Sequence, residues 1–162
     1  MISAKRIIMS IQLAPQQSLN ERRTIQQDDA EGLARLMHAA YRGTIDDEGE
    51  TLNEAREEIH KTFAGEYGRL LSDCSFAIEA DGSLISACLV SWYEPSSTPL
   101  VAFLMTHPDA KRQGHARMLL RQSMNALLEQ GYSKLTLVVS EGNNPAIALY
   151  RNLGFTVDPQ IG

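Results

Sequence analysis

Cysteine is scarce in this chain. Of 162 residues only Cys74 and Cys88 carry thiols, each inside an apolar stretch, Cys74-Ser75-Phe76 and Ala87-Cys88-Leu89. A disulfide-built scaffold is excluded, and two buried free thiols are expected rather than a bridge. Histidine is sparse as well: His38, His60, His107 and His115 show no close pairing with cysteine or carboxylate at ligand spacing, so no metal site is expected. No apolar run approaches the ~18 residues of a membrane span. The stretch Ile7-Ile8-Met9 follows Lys5 and Arg6 but is broken by Ser10 and Gln12, and no small-residue cleavage site comes after it. A cytoplasmic protein with no membrane partner is the expectation. Positive charge is in the minority, 15 Lys and Arg against 20 Asp and Glu, for a net charge of −5. An extended nucleic-acid footprint is therefore not expected. What the chain does have is 43% hydrophobic residues, enough for a real core, and a length that suits one domain, 1–162.

Hydrophobic periodicity reads as one mixed series of elements. Ile7 to Leu13 alternates like a strand and is broken by Pro15-Gln16-Gln17-Ser18. Arg23 to Gln26 reads as a second short strand. Behind an N-cap at Asp28 or Asp29, Leu33, Leu36, Met37 and Ala40 recur at helical spacing up to Gly43. After the acidic stretch Asp46-Asp47-Glu48-Gly49-Glu50, Thr51 and Glu54 form a capping-box pattern ahead of Leu52, Ala55, Ile59 and Phe63. Runs 75–80 and 84–92 flank Asp81-Gly82, a hairpin signal. Leu100 to Thr106 is nearly continuous and apolar, the pattern of a strand buried in a sheet. A helix through Ala116, Leu119, Leu120, Met124, Leu127 and Leu128 follows, ending at Gly131. Lys134 to Val139 is a strand. Asn144 and Pro145 open a last helix, as cap and first residue, that stops at Gly154. The order (β)β-α-α-β-β-β-α-β-α-(β) describes an α/β or α+β domain with a mixed sheet covered by helices.

The chemistry concentrates between Leu100 and Phe155. There a buried strand runs into the turn Lys111-Arg112-Gln113-Gly114-His115-Ala116, which opens a helix. A helix N-terminus presents unpaired N–H groups and the positive end of its dipole, and so attracts an anion. Gly114 and Ala116 are small enough to let phosphate oxygens approach the main chain. Lys111, Arg112, Arg117 and Arg121 concentrate positive charge around this turn in an otherwise acidic chain. It is neither a Walker loop nor a dinucleotide fingerprint, since the Gly-Lys-Ser/Thr ending and the triple glycine are both missing.

About thirty residues on stand Asn143-Asn144-Pro145-Ala146, Leu149-Tyr150 and Gly154-Phe155. Together with His107-Pro108-Asp109-Ala110-Lys111-Arg112-Gln113-Gly114-His115-Ala116, this resembles the GNAT superfamily of acetyl-coenzyme A-dependent N-acyltransferases. The resemblance is specific over residues 100–155. It implies a GNAT-like, mostly antiparallel mixed sheet, acetyl-CoA as cosubstrate and a small-molecule or peptide amine as acceptor. It further implies that main-chain groups of Leu104, Met105 and Thr106 pair with the pantetheine arm. The turn of Arg112, Gln113, Gly114, His115, Ala116 and Arg117 would hold the pyrophosphate, Asn143 the cofactor arm, and Tyr150 would protonate the departing thiolate. A core tyrosine and a plain helix cap are the alternative readings of Tyr150 and Asn143.

Three departures from the family pattern stand out. Lys111 occupies the usual Gln/Arg position. Val138 stands where many members carry an acidic base, which leaves the base open among Glu141, His107 and a water chain. The two strands that relatives add after Gly-Phe have no counterpart, so the N-terminal extension (1–22) is expected to supply a covering strand from this chain or from a second copy in a homodimer. The acidic stretch Asp46 to Glu50 reads as a solvated connector; since the link between the first two helices borders the acceptor site in GNAT-like proteins, a cationic amine acceptor is the alternative reading. A non-catalytic acyl-CoA-binding module of the same fold is the competing function.

Overall fold

A computed structural model of the chain describes residues 5–17 and 23–158. The strands are β1 (Arg6–Gln12), β2 (Phe76–Ala80), β3 (Ser83–Tyr93), β4 (Thr98–Thr106), β5 (Lys134–Ser140) and β6 (Thr156–Val157). The helices are α1 (Ala30–Tyr41), α2 (Leu52–Ala64), α3 (His115–Glu129) and α4 (Asn144–Leu153). The strands form one sheet in the order β2-β3-β4-β5-β1-β6. Every pairing is antiparallel except that of β4 with β5. The mixed sheet and the expected order of elements are both present.

Alternation along the strands divides the core in two. Ala77, Ala87, Leu89 and Met105 pack against Leu33, Leu36, Met37, Ala55 and Ile59 of α1 and α2. On the opposite face Phe76, Cys88, Val90, Leu135 and Leu137 pack against Leu119, Leu120, Met124, Leu127 and Tyr150 of α3 and α4. Helices thus cover both faces, and the period of two in the strands decides which face each side chain serves. Cys74 and Cys88 are both buried, with no disulfide between them.

Local signals act as the residue types require. Thr51 Oγ1 accepts from the Glu54 N–H at 3.1 Å, and Glu54 Oε1 accepts from the Thr51 N–H at 3.0 Å, closing the capping box of α2. Asp81 and Gly82 both take positive φ in the β2–β3 turn, as a two-residue hairpin demands. Three details differ from expectation. The strand at Arg23–Gln26 is reduced to a single bridge, Thr24 to Phe76, because a short 3-10 turn over Gln27–Asp29 begins immediately after it. Asp29 holds the N-cap position of α1 as expected, but its carboxylate turns to the Gln26 N–H and the Arg23 guanidinium rather than to the N–H groups of the helix. The cap of α4 is Asn143, with Asn144 and Pro145 inside the helix.

β1 lies inside the sheet. It pairs with β5 from Arg6↔Ser140 to Gln12↔Lys134 and with β6 through Met9↔Val157 and Ser10↔Thr156. The N-terminal strand therefore covers the β5 edge from within the same chain. The remainder of the extension, residues 1–4 and 18–22, lies outside the described residues, as do 159–162 at the other end.

Candidate active site

The site arises where two neighbouring strands part. β4 and β5 pair only through Leu100↔Thr136 and Val101↔Leu137. At that point the β3–β4 ladder shifts register, from Val90↔Val101 to Leu89↔Phe103, leaving Ala102 as a bulge. A bulge bends its strand and ends regular pairing, and here it swings the second half of β4 away from β5. Past the bulge, the His107 N–H donates to the Ile85 carbonyl at 2.7 Å. Alternation in an antiparallel ladder then turns the main-chain groups of Met105 toward β3 and those of Leu104 and Thr106 toward the gap. The Met105 carbonyl also accepts from Ser86 Oγ at 2.9 Å. Of the three residues expected to offer main-chain groups, Met105 is thus committed to β3.

The gap opens into a cleft of about 600 Å³. Its lining includes Phe103, Leu104, Val138, Ser140, Asn143 and Tyr150 from the sheet and α4, and Met37, Tyr41 and the acidic residues Asp46, Asp47, Glu48, Glu50, Glu54, Glu57 and Glu58 from α1, α2 and their link. Val138 is 39% exposed because α1 and α2 pack over β2, β3 and β4 and leave this face of β5 uncovered. Tyr150 is 8% exposed, and its ring meets Phe155 edge-on at 5.9 Å. Burial raises the Tyr150 phenol well above the usual tyrosine range, and Cys88, Tyr41 and Asp46 add to the effect. Tyr41 is raised in the same way by burial, with Asp46 and Glu50 adding and Arg6 opposing. Both phenols keep their protons at any ordinary pH.

The basic turn lies outside the cleft-lining residues, at the start of α3. Gly114 is the cap residue at φ +82°, no side chain caps the helix, and its first turn holds no acid. A Cβ built on Gly114 meets nothing within 4 Å, so the space before the turn is open. Arg112 also has positive φ, +65°, a strained conformation for a residue with a side chain. Arg117 donates to Asn152 Oδ1 at 2.6 Å, which ties the turn to α4.

The model of the acetyltransferase (GNAT) family matches residues 31–155. The chain belongs to this family. It is 32% identical over 95 residues to the ribosomal protein bS18-alanine N-acetyltransferase of Escherichia coli, a match spanning 59% of this chain and 62% of that protein. It is 34% identical over 83 residues to the mycothiol acetyltransferase of Thermomonospora curvata, across 50% of this chain and 27% of that one. Among solved structures, a GCN5-related N-acetyltransferase from Sphaerobacter thermophilus superposes with a TM-score of 0.72 at 17% identity, covering 94% of this chain and 48% of that chain. The ribosomal-protein-S18-alanine N-acetyltransferase of E. coli superposes with a TM-score of 0.62 at 24% identity, covering 84% and 77%.

In this GNAT chain the structure gathers Leu104, Asn143 and Tyr150 into one cleft, while Arg112 to Arg117 lie outside its lining, tied to α4 through Arg117. Asn143 Oδ1 accepts from the Ala146 N–H at 3.4 Å, so it caps α4 as well as lining the cleft. His107 and Glu141 are not among the lining residues; the His107 ring accepts from the Asp109 N–H at 3.1 Å. Tyr41, Arg6 and Ser140 carried no signal in the sequence. Tyr41 reads as one more helix residue, and Arg6 and Ser140 come together only because β1 pairs with β5. Among the described residues no group of His, Cys, Asp and Glu could hold a metal ion, and no helix is long and apolar enough to cross a membrane.

Proposed function

We propose that the protein transfers an acetyl group from acetyl-CoA to a cationic primary amine by direct attack on the thioester. The observation that carries this reading is the parting of β4 and β5 beside a buried, protonated tyrosine. The gap has an unpaired strand edge on one side, suited to an extended amide-bearing arm, which the main-chain groups of Leu104 and Thr106 would pair like an added strand. The turn from Arg112 through Arg117 would hold the pyrophosphate. Its open face at Gly114, uncapped helix start and local positive charge fit a doubly phosphorylated group.

The residues then divide the work. Asn143, bonded to the start of α4, would hydrogen-bond the cofactor arm. Main-chain N–H groups on the open edge of β4 would take the negative charge that develops on the thioester oxygen. Tyr150 would give its proton to the departing thiolate. Burial keeps the phenol protonated but also makes it a weaker acid, so the transfer relies on the basicity of the thiolate as it leaves; general acid help of this kind contributes typically ~10²–10⁴-fold in rate. The carboxylates along the α1–α2 link and α2 would favour an acceptor that arrives as an ammonium ion.

Thiol release from acetyl-CoA in the presence of an amine panel tests the reading. Release that depends on amine, with recovery of the acetylated amine, is the expected result. Coenzyme A binding without transfer to any amine would make the protein the non-catalytic acyl-CoA module instead.

A further inference from the structure

The acetyl-transfer reading leaves one role unfilled. Attack requires a neutral amine, the acidic cleft favours an ammonium ion, and Val138 has no acid–base chemistry where a base would stand. We propose that Asp46, clamped by Ser140, receives the acceptor ammonium and takes its proton; the proposal rests on the acetyl-transfer reading above.

Asp46 lies on the link between α1 and α2, yet it is fastened to the sheet. Ser140 Oγ, on the last residue of β5, donates to Asp46 Oδ1 at 2.6 Å, and Ser140 is buried. A bond this short to a carboxylate is charge-assisted and fixes the acceptor atom. The link is braced from its own side as well. The Asp46 N–H donates to Thr44 Oγ1 at 3.3 Å, and the Thr44 hydroxyl donates to the Tyr41 carbonyl at 2.8 Å. Asp47 accepts from the N–H groups of Gly43 and Gly49 at 2.7 and 2.8 Å. The carboxylate is thereby held across the gap between the end of α1 and the end of β5.

What sets Asp46 apart from the other acidic residues of the cleft is its anchor: among the described residues it is the one whose carboxylate is bonded to a strand of the sheet, through Ser140. Its charge acts on the phenols of both Tyr41 and Tyr150, whereas that of Glu50 acts on Tyr41 alone. The Ser140 bond occupies Oδ1, and among the described residues no hydrogen bond is formed to Oδ2, which is free for an ammonium. Asp46 and Tyr150 line the same cleft, so an ammonium held at Asp46 sits in the cavity that also holds the tyrosine serving the leaving thiolate.

The protons balance. Asp46 takes one proton from the ammonium and later returns it to water. The free amine bonds to the thioester carbon, the carbon–sulfur bond breaks, Tyr150 protonates the sulfur, and the second proton lost by the nitrogen restores the phenol. The products are the amide, the free thiol and one proton in solution.

Acetyl transfer to spermidine and to benzylamine, both ammonium ions at neutral pH, tests the assignment. Asp46→Asn should lower kcat/KM by about a hundredfold or more, with coenzyme A affinity by calorimetry within twofold of wild type. Ser140→Ala should lower kcat severalfold, and Ser140→Thr, which keeps the hydroxyl, should restore it; a merely structural serine would show no such rescue. An Asp46→Asn enzyme within threefold of wild type overturns the proposal. So does a wild-type enzyme that binds coenzyme A yet acetylates neither amine. A wild-type protein that does not bind coenzyme A overturns the acetyl-transfer reading instead.

Discussion

Tyr150 sits on the α4 face that carries Ala146, Leu149 and Leu153, so its ring would be core material even without a reaction to serve. The hydroxyl separates the two roles. Tyr150→Phe keeps the packing against Phe155 and should lower turnover by about a hundredfold while leaving coenzyme A affinity unchanged. Wild-type turnover in that variant would make the residue structural. Gly114→Glu should abolish coenzyme A binding, because it places a bulky anion in the open space before α3; an unchanged dissociation constant in calorimetry would remove the turn from the site. A third residue speaks through stability. Burial pushes the Cys88 thiol from 9.0 up to about 12, against a small opposing contribution from the Ser123 hydroxyl. The folded thiol keeps its proton where an unfolded thiol loses it, so its contribution is complete below pH 9 and disappears as pH rises toward 12. Denaturant unfolding at stepped pH should show the stability gap between wild type and Cys88→Ala narrowing across that window.

At the scale of elements, β1 makes the largest difference to the architecture. Its ladder with β5 runs the length of both strands, and Met9, 1% exposed, reaches the core beneath α3 and α4. Met9→Ala should cost about 2–5 kcal/mol. At ~2–4 °C per kcal/mol for a chain of this size, the melting temperature should drop visibly in calorimetry. Deleting residues 1–14 should be worse, since it bares the β5 edge and removes Arg6 from the cleft. Equal stability and solution mass for the deletion would contradict this account of β1. β3 depends on another close approach. A Cβ on Gly68 would stand 2.0 Å from the Trp92 carbonyl oxygen, beside the bonds from the Trp92 N–H to the Arg69 carbonyl and from the Leu71 N–H to the Val90 carbonyl, both 2.8 Å. Gly68→Ala must therefore push the Arg69–Leu71 segment off β3.

Across the whole molecule, charge is sorted rather than spread. The net charge is −5, yet the turn before α3 is basic and the carboxylates gather along α2 and the link before it. The turn is thus suited to an anion and the acidic side of the cleft to a cation. Added salt should raise the KM of a polyamine acceptor, because screening shortens the Debye length from ~10 Å at 0.1 M to ~3 Å at 1 M. The same salt should change a neutral, low-basicity amine much less, and equal sensitivity of the two in steady-state kinetics would argue against an electrostatic role for the acidic rim.

Much of this was legible in the chain itself, wherever the determinant is local. The Thr51–Glu54 box, the Asp81-Gly82 turn, the small residues at Gly114 and Ala116, and the apolar rows of α1 and α3 act within a few residues of one another, so sequence spacing is their geometry. The motif from Lys111 to Ala116 and the later run from Asn143 to Phe155 pointed to the family for the same reason. Where β1 lodges, where β4 leaves β5, and which carboxylate Ser140 holds depend on pairs far apart in the chain. Arg6 meets Ser140 across a ladder, and Asp46 bonds Ser140 from ninety-four positions away. An alternating strand such as Ile7 to Leu13 states which side chains share a face but not which edge it will join. The Ala102 bulge is a mismatch between two strands, so neither strand encodes it alone. Only the assembled sheet, with its edges competing for partners, decided that the cleft lies between β4 and β5 and that an acidic link would line it.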